Sequence, residues 1–150
     1  MSEAADEKYA VGFLLTRASA GFSNLLGAQL QARGLDITPE QWSVLDALWE
    51  RKGINQQGLA GCLSKNKTSI SRIVDGLEKK GLVERCSNPE DRRDKILLLS
   101  DEGVALRNRG AKLHRRVIDQ AMDGISDADQ AVLARVLRGI HENTTADRPD

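Results

Sequence analysis

Apolar residues recur at spacings of three and four along most of this chain. The rhythm breaks only after residue 81, where two short apolar runs flank a charged loop. The first helical stretch, 9–32, carries Val11, Leu14, Leu15, Ala18, Phe22, Leu25, Leu26 and Leu30 on one stripe. Gly12, Gly21 and Gly27 interrupt it, leaving open a close helix approach, room for a ligand, or simple tolerance. Arg33-Gly34 ends it, and the polar residues 1–8 before it are expected to be loose. Thr38-Pro39-Glu40-Gln41 starts a second helix: Thr caps, Pro suits the first position, and Gln completes a capping box. Trp42, Val44, Leu45, Leu48 and Trp49 follow, and both tryptophans are expected in the core, with pocket lining as the alternative for Trp42. Lys52-Gly53-Ile54 then leads onward, with a short strand expected there.

Residues 55–95 organise the rest. Leu59, Ala60 and Leu63 mark a short helix over 56–63, and Ser64-Lys65 makes a turn. Ile70, Ile73, Val74 and Leu77 mark the next helix, with Asn66 as its N-cap and Gly81 at its close. The apolar runs at 82–85 and 95–99, around the loop that begins with Cys86 and contains Asn88-Pro89, read as a β-hairpin, a wing with two arginines near its tip. Ser100 caps a long helix to about residue 123, with Asp101 and Glu102 in its first turn. Val132, Leu133, Val136, Leu137 and Ile140 stripe a last helix, and residues 144–150 are expected to fray. The predicted class is mainly α with a small β-wing: a winged helix-turn-helix over 38–99, flanked by helices at 9–35 and 100–143 in one domain. The first and last helices have apolar faces wider than one small domain covers, which points to a two-fold homodimer.

Charge changes the picture. The net charge is zero, but residues 1–50 carry three Lys/Arg against seven Asp/Glu, and residues 51–95 carry eleven against six. The positive charge is concentrated in the helix-turn-helix and wing, as contact with phosphates requires. The exposed side of the second helix of the motif shows Lys67, Thr68, Ser69, Ser71 and Arg72 beside Asn66, at the end that a recognition helix presents to a major groove. Arg72 is the candidate for base readout, since a guanidinium can hold guanine in a bidentate manner. Thr68 and Ser69 suit phosphates or thymine methyls. Asp91, Arg92, Arg93 and Lys95 belong to the wing, where arginine can enter a narrow minor groove. The plainer reading of these groups is a solvated helix face and ordinary hairpin charges paired with Asp91 or Asp94.

Residues 59–103 resemble the winged helix-turn-helix core of the MarR (multiple antibiotic resistance regulator) family. The resemblance lies in Leu59-Ala60, the run Leu77-Glu78-Lys79-Lys80-Gly81-Leu82-Val83, the wing tip Asp91-Arg92-Arg93, and the close Leu99-Ser100-x-x-Gly103. Flanking helices extend it over about residues 9–143. Gly58, Lys65, Gly76 and Ser100 depart from the usual pattern. The resemblance implies a dimeric regulator of transcription that binds a palindromic operator in double-stranded DNA, most often as a repressor. It also implies that Asp91 braces the wing tip while Arg92 or Arg93 reads the minor groove. A small-molecule effector would bind between the dimer helices and the DNA-binding lobe, with Arg17, Trp42 and Trp49 as candidates to contact it.

Other classes have less to rest on. No apolar run is long enough to span a membrane and no secretory leader is visible, so a cytoplasmic protein is expected. Two cysteines make no disulfide framework or metal motif. Cys62 is expected to be a buried small hydrophobe. Cys86, next to Arg85, is a candidate redox thiol, and a cysteine-based redox-sensing regulator is one alternative. His114 and His141 stand apart from other metal-binding side chains, so no metal or cofactor is expected. No nucleophile set, paired carboxylates or phosphate loop appears, so an enzyme is not expected. The remaining alternative is a winged helix that binds protein in place of DNA.

Overall fold

A computed structural model describes residues 3–146, with side chains from residue 6 onward. The elements run α1 (Glu3–Ala32), α2 (Pro39–Glu50), α3 (Gln56–Cys62), α4 (Lys67–Lys79), β1 (Val83–Ser87), β2 (Lys95–Leu99), α5 (Asp101–Ala121) and α6 (Asp127–Thr145). They fall into two compact units that divide between Val117 and Ile118.

Local chemistry sets most of the boundaries. Thr38 accepts from the Gln41 N–H at 3.1 Å, and the Gln41 side chain accepts from the Thr38 N–H at 3.1 Å. That closes the capping box on α2. Asn55 and Asn66 cap α3 and α4 in the same one-sided way, each accepting from a backbone N–H three residues on at 2.8 Å. Gly81 ends the α4 segment at φ +71°, a conformation in which a Cβ would be strained. The Ser100 hydroxyl accepts from the Gly103 N–H at 3.0 Å and donates to the Gly81 carbonyl at 2.6 Å, so it caps α5 and ties it to the end of α4.

The core of the first unit is built from α2, α3, α4 and the wing. Leu45, Leu59, Ile70, Leu77 and Leu97 are wholly buried there. From α1 only the C-terminal half joins it: Leu26 and Leu30 are buried, with Phe22 and Leu25 packed against them. β1 and β2 pair antiparallel, with Val83 opposite Leu99 and Ser87 opposite Lys95. The expected strand before α3 shrinks to one bridge, Asn55 to Ile96, completed by the Leu97 N–H donating to the Ile54 carbonyl at 2.9 Å.

Four expectations are corrected. α1 begins at Glu3, because residues 3–8 contain nothing that breaks a helix. Cys62 is exposed, since Leu59 and Ala60 already fill the buried side of α3. Trp49 is half-exposed, lying between the Lys52 ammonium (5.4 Å from the ring centre) and the Arg107 guanidinium (5.1 Å). Cys86 belongs to β1, not to the loop after it. Gly58, a poor helix residue on paper, has a reason: a Cβ there would meet Ile54 Cγ1 at 2.8 Å.

Candidate nucleic-acid interface

α4 is the centre of the candidate interface. Ile70, Ile73, Val74 and Leu77 anchor its inner side. At the helical period, Thr68, Arg72, Asp75 and Lys79 then share the opposite stripe. Lys67, Thr68 and Arg72 are exposed, whereas Ser69 and Ser71 are half-buried. Asn66 is exposed too, but its oxygen is occupied by the cap on Ser69.

The Arg72 guanidinium lies 3.8 Å from the Glu40 carboxylate, which also lies 3.9 Å from the Lys65 ammonium. Arg72 is 75% exposed, and ion pairs that long on open side chains are easily exchanged for another anion.

Two further carboxylates, Asp75 and Glu78, lie on the outside of α4 and were not singled out from the sequence. Arg85 of β1 holds both. Its Nη2 donates to Asp75 at 2.8 Å and to the Gln56 side chain at 3.3 Å, and its Nη1 donates to Glu78 at 2.9 Å. The Asp75 hydrogen bond, assisted by Glu78 against the opposing effect of burial, raises the pKa of this already cationic group. The sequence signal that could have found this tie is the i, i+3 spacing of two acids followed by an arginine at the start of the wing. The tie also bears on Cys86. Successive strand residues point to opposite faces, and the Arg85 guanidinium is committed to α4, so it is not the neighbour of the Cys86 thiol.

The wing is built by its acids. Asp91 Oδ1 accepts from the Arg93 N–H at 3.0 Å. Asp94 receives the Asn88 amide at 3.2 Å and the Asn55 amide at 3.3 Å on each oxygen. Asn55 therefore caps α3 and moors the wing together. With Asp91 and Asp94 so engaged, Arg92 and Arg93 are exposed and make no ion pair among the described residues. Lys95 is exposed and donates to Ser87 at 3.1 Å.

A separate open cleft of about 400 Å³ lies behind the helix-turn-helix, lined by Phe22, Trp42, Ser43, Lys65 and His114 among others. Trp42 and His114 stack with ring centres 4.3 Å apart. Burial lowers the His114 pKa from its ordinary 6.5, with the Asp46 charge opposing. His114 carried no sequence signal beyond its isolation. Of the other effector candidates, Arg17 lies 5.5 Å from the Phe13 ring centre, and Trp49 is two turns further along α2. Among the described residues no cluster of His, Cys, Asp and Glu could hold a metal ion, and no helix is long and apolar enough to cross a membrane.

An antiparallel wing following a capped helix-turn-helix, with a basic outer face, defines a winged helix-turn-helix protein. The MarR family model matches residues 37–95, and over that stretch the chain is similar to that family of transcriptional regulators. It is 30% identical over 108 residues to a putative transcriptional regulatory protein for the hcr operon of Thauera aromatica, covering 70% of this chain and 63% of the relative. Two solved structures are similar throughout. One is a cysteine-to-serine variant of MarR from E. coli complexed with operator DNA, at TM-score 0.81 and 26% identity, covering 93% of this chain and 99% of that one. The other is the transcriptional repressor CouR bound to a 23-mer DNA duplex, at TM-score 0.80 and 28% identity, covering 94% and 99%.

Proposed function

We propose that this chain is a DNA-binding transcriptional regulator that acts as a homodimer on a roughly palindromic operator, as a repressor released by a small molecule. The observation that carries the reading is the surface shared by α4 and the wing. There, exposed Lys67, Thr68 and Arg72 stand on a capped helix, and Arg92 and Arg93 make no ion pair among the described residues, on a tip braced by Asp91. The DNA-bound relatives support it, since 93–94% of this chain follows their fold.

The dimer reading rests on exposed apolar residues of two helices. Tyr9, Val11, Phe13 and Leu14 lie on α1, and Val132, Leu133, Val136 and Leu137 on α6. In this reading residues 9–35 and 100–143 join two copies, and residues 38–99 form the lobe on DNA, within one domain. Two copies would then place two α4 helices in successive major grooves. The cleft at Trp42 and His114 is the effector site of this reading, and a ligand there acts only by favouring one separation of the lobes. The protein works in the cytoplasm and carries out no catalysis.

Fluorescence anisotropy on DNA from upstream of its own gene tests the reading, run against a scrambled duplex at several salt concentrations. Tight, salt-dependent binding with preference for the upstream DNA is expected. Absence of binding to either duplex at low salt would overturn it.

A further inference from the structure

We infer that Arg85 is a positioning residue for DNA recognition: it offsets part of the charge of Asp75 and Glu78 on the outer side of α4 and lessens their repulsion of the phosphates. The inference rests on the DNA-binding reading above. Asp75 lies seven residues beyond Thr68, two turns along the same stripe, so a helix seated in a groove carries this carboxylate toward the DNA. A free carboxylate there opposes every phosphate within a Debye length. Asp75 and Glu78, three residues apart, present their oxygens side by side, and the arginine fork spans both, at 2.8 and 2.9 Å.

The third contact, to Gln56 of α3, fixes the direction of the fork. Arg85 is not itself a DNA contact in this arrangement. Both terminal nitrogens are used within the protein, and the side chain is only 27% exposed, against 75% for Arg72. The cluster thus joins α3, α4 and β1 and masks negative charge at the centre of a basic surface.

The test compares the parent with R85Q, D75N/E78Q and the triple variant R85Q/D75N/E78Q. Each is measured by anisotropy on the operator duplex at low and high salt and by thermal melting. R85Q is expected to bind about tenfold more weakly at low salt, with the deficit narrowing as salt rises, because the repulsion it exposes is screened. The triple variant is expected to recover most of that loss, and D75N/E78Q to bind at least as tightly as the parent. A purely structural tie predicts the reverse order: the triple variant, having lost every partner, would bind no better than R85Q at any salt.

That result, or unchanged binding by R85Q, overturns the inference while leaving the DNA-binding reading intact. Failure of the parent to bind DNA removes both. Should R85Q not fold, D75N/E78Q decides the matter, since weaker binding by that variant contradicts a masking role.

Discussion

The indole of Trp42 stands directly against Gly110 of α5, so close that a Cβ at that position would occupy the space of Cδ1 and Nε1. One turn further along α5, His114 stacks on the same ring. Trp42 is therefore the joint between α2 and α5 and a wall of the cleft. Alanine at Gly110 gains about 1 kcal/mol of helix propensity. The clash it creates is with a buried, rigid ring and costs about 1–3 kcal/mol, with more where the ring cannot move. The clash is expected to win, giving G110A a lower melting temperature and altered tryptophan fluorescence. Gly61 is the control: its Cβ would meet nothing within 4 Å, so G61A is expected to be neutral or stabilising. Equal shifts for the two variants would refute the packing argument.

His114 gives the fold a pH dependence whose sign follows from burial. Its folded pKa lies below the ordinary 6.5, so the unfolded chain takes up the proton first as pH falls. The neutral imidazole's contribution is fully present above about pH 6.5. It declines as pH drops through 6.5 toward the folded value. Asp46 is the charge that opposes the shift, and Lys65 and Glu40 share the cleft. Urea midpoints for the parent are expected to fall between about pH 7 and 5.5, above the range where ordinary carboxylates titrate. H114F is expected to show a flatter profile over that interval. Identical slopes would mean that other groups carry the dependence.

Much of this architecture was legible because it is local. The Thr38 to Gln41 capping box, the Asn66 cap, the Gly81 stop and the apolar stripe of α4 each need only a few neighbouring residues to declare themselves. What escaped is contact between distant segments. Arg85 reads as part of an apolar strand until the fold brings it to Asp75 and Glu78. Gly110 and His114 mean nothing until Trp42 arrives. Cys62 and Trp49 have apolar side chains at helical spacing, but their neighbours had already filled the buried side. At the candidate interface, the sequence named the cations and the Asp91 brace, while the ties of Asp75, Glu78 and Asp94 had to be seen in place.

Arg72 and Arg93 are expected to fail differently. A side chain that reads a base discriminates between sequences, so R72A is expected to cost about 1–3 kcal/mol on the operator and to relax preference at one position per half-site. Arg93 is exposed at the wing tip, and its side chain makes no ion pair among the described residues. R93A is expected to weaken binding on most sequences and to reduce the salt slope by about one unit. Salt titrations on operator and single-base variants separate the two patterns. An R93A slope equal to that of the parent would count against a phosphate or groove contact.

Asn55 serves two structures with one amide. Its oxygen caps α3 at Gly58, 2.8 Å away, and its nitrogen donates to Asp94 at 3.3 Å. Asn55→Asp keeps an acceptor for the cap but sets a second carboxylate against Asp94. The variant is expected to retain its helix content while losing hydrogen-exchange protection in the wing, and to bind DNA more weakly than the parent. Asn55→Ala removes both contacts and is expected to cost about 1 kcal/mol more through the lost cap. Full wing protection in the aspartate variant would show that the tie to Asp94 is dispensable.

The apolar face of α6 offers the sharpest test of assembly. Val132, Leu133, Val136 and Leu137 are each 39–47% exposed, and α6 buries none of its residues in the single chain. Covering such a face with a second copy makes stability depend on protein concentration, so the parent's melting temperature is expected to rise as the sample is concentrated. Leu133→Glu places a charge where the partner's apolar surface would lie, without disturbing a core that α6 does not fill. The variant is expected to sediment as a monomer and to lose the concentration dependence. Its operator affinity is expected to fall further than that of R72A or R93A, because one half-site is lost entirely rather than one contact. If Leu133→Glu sediments with the parent, α6 does not lie at the interface, and the exposed apolar residues of α1 must carry the dimer alone.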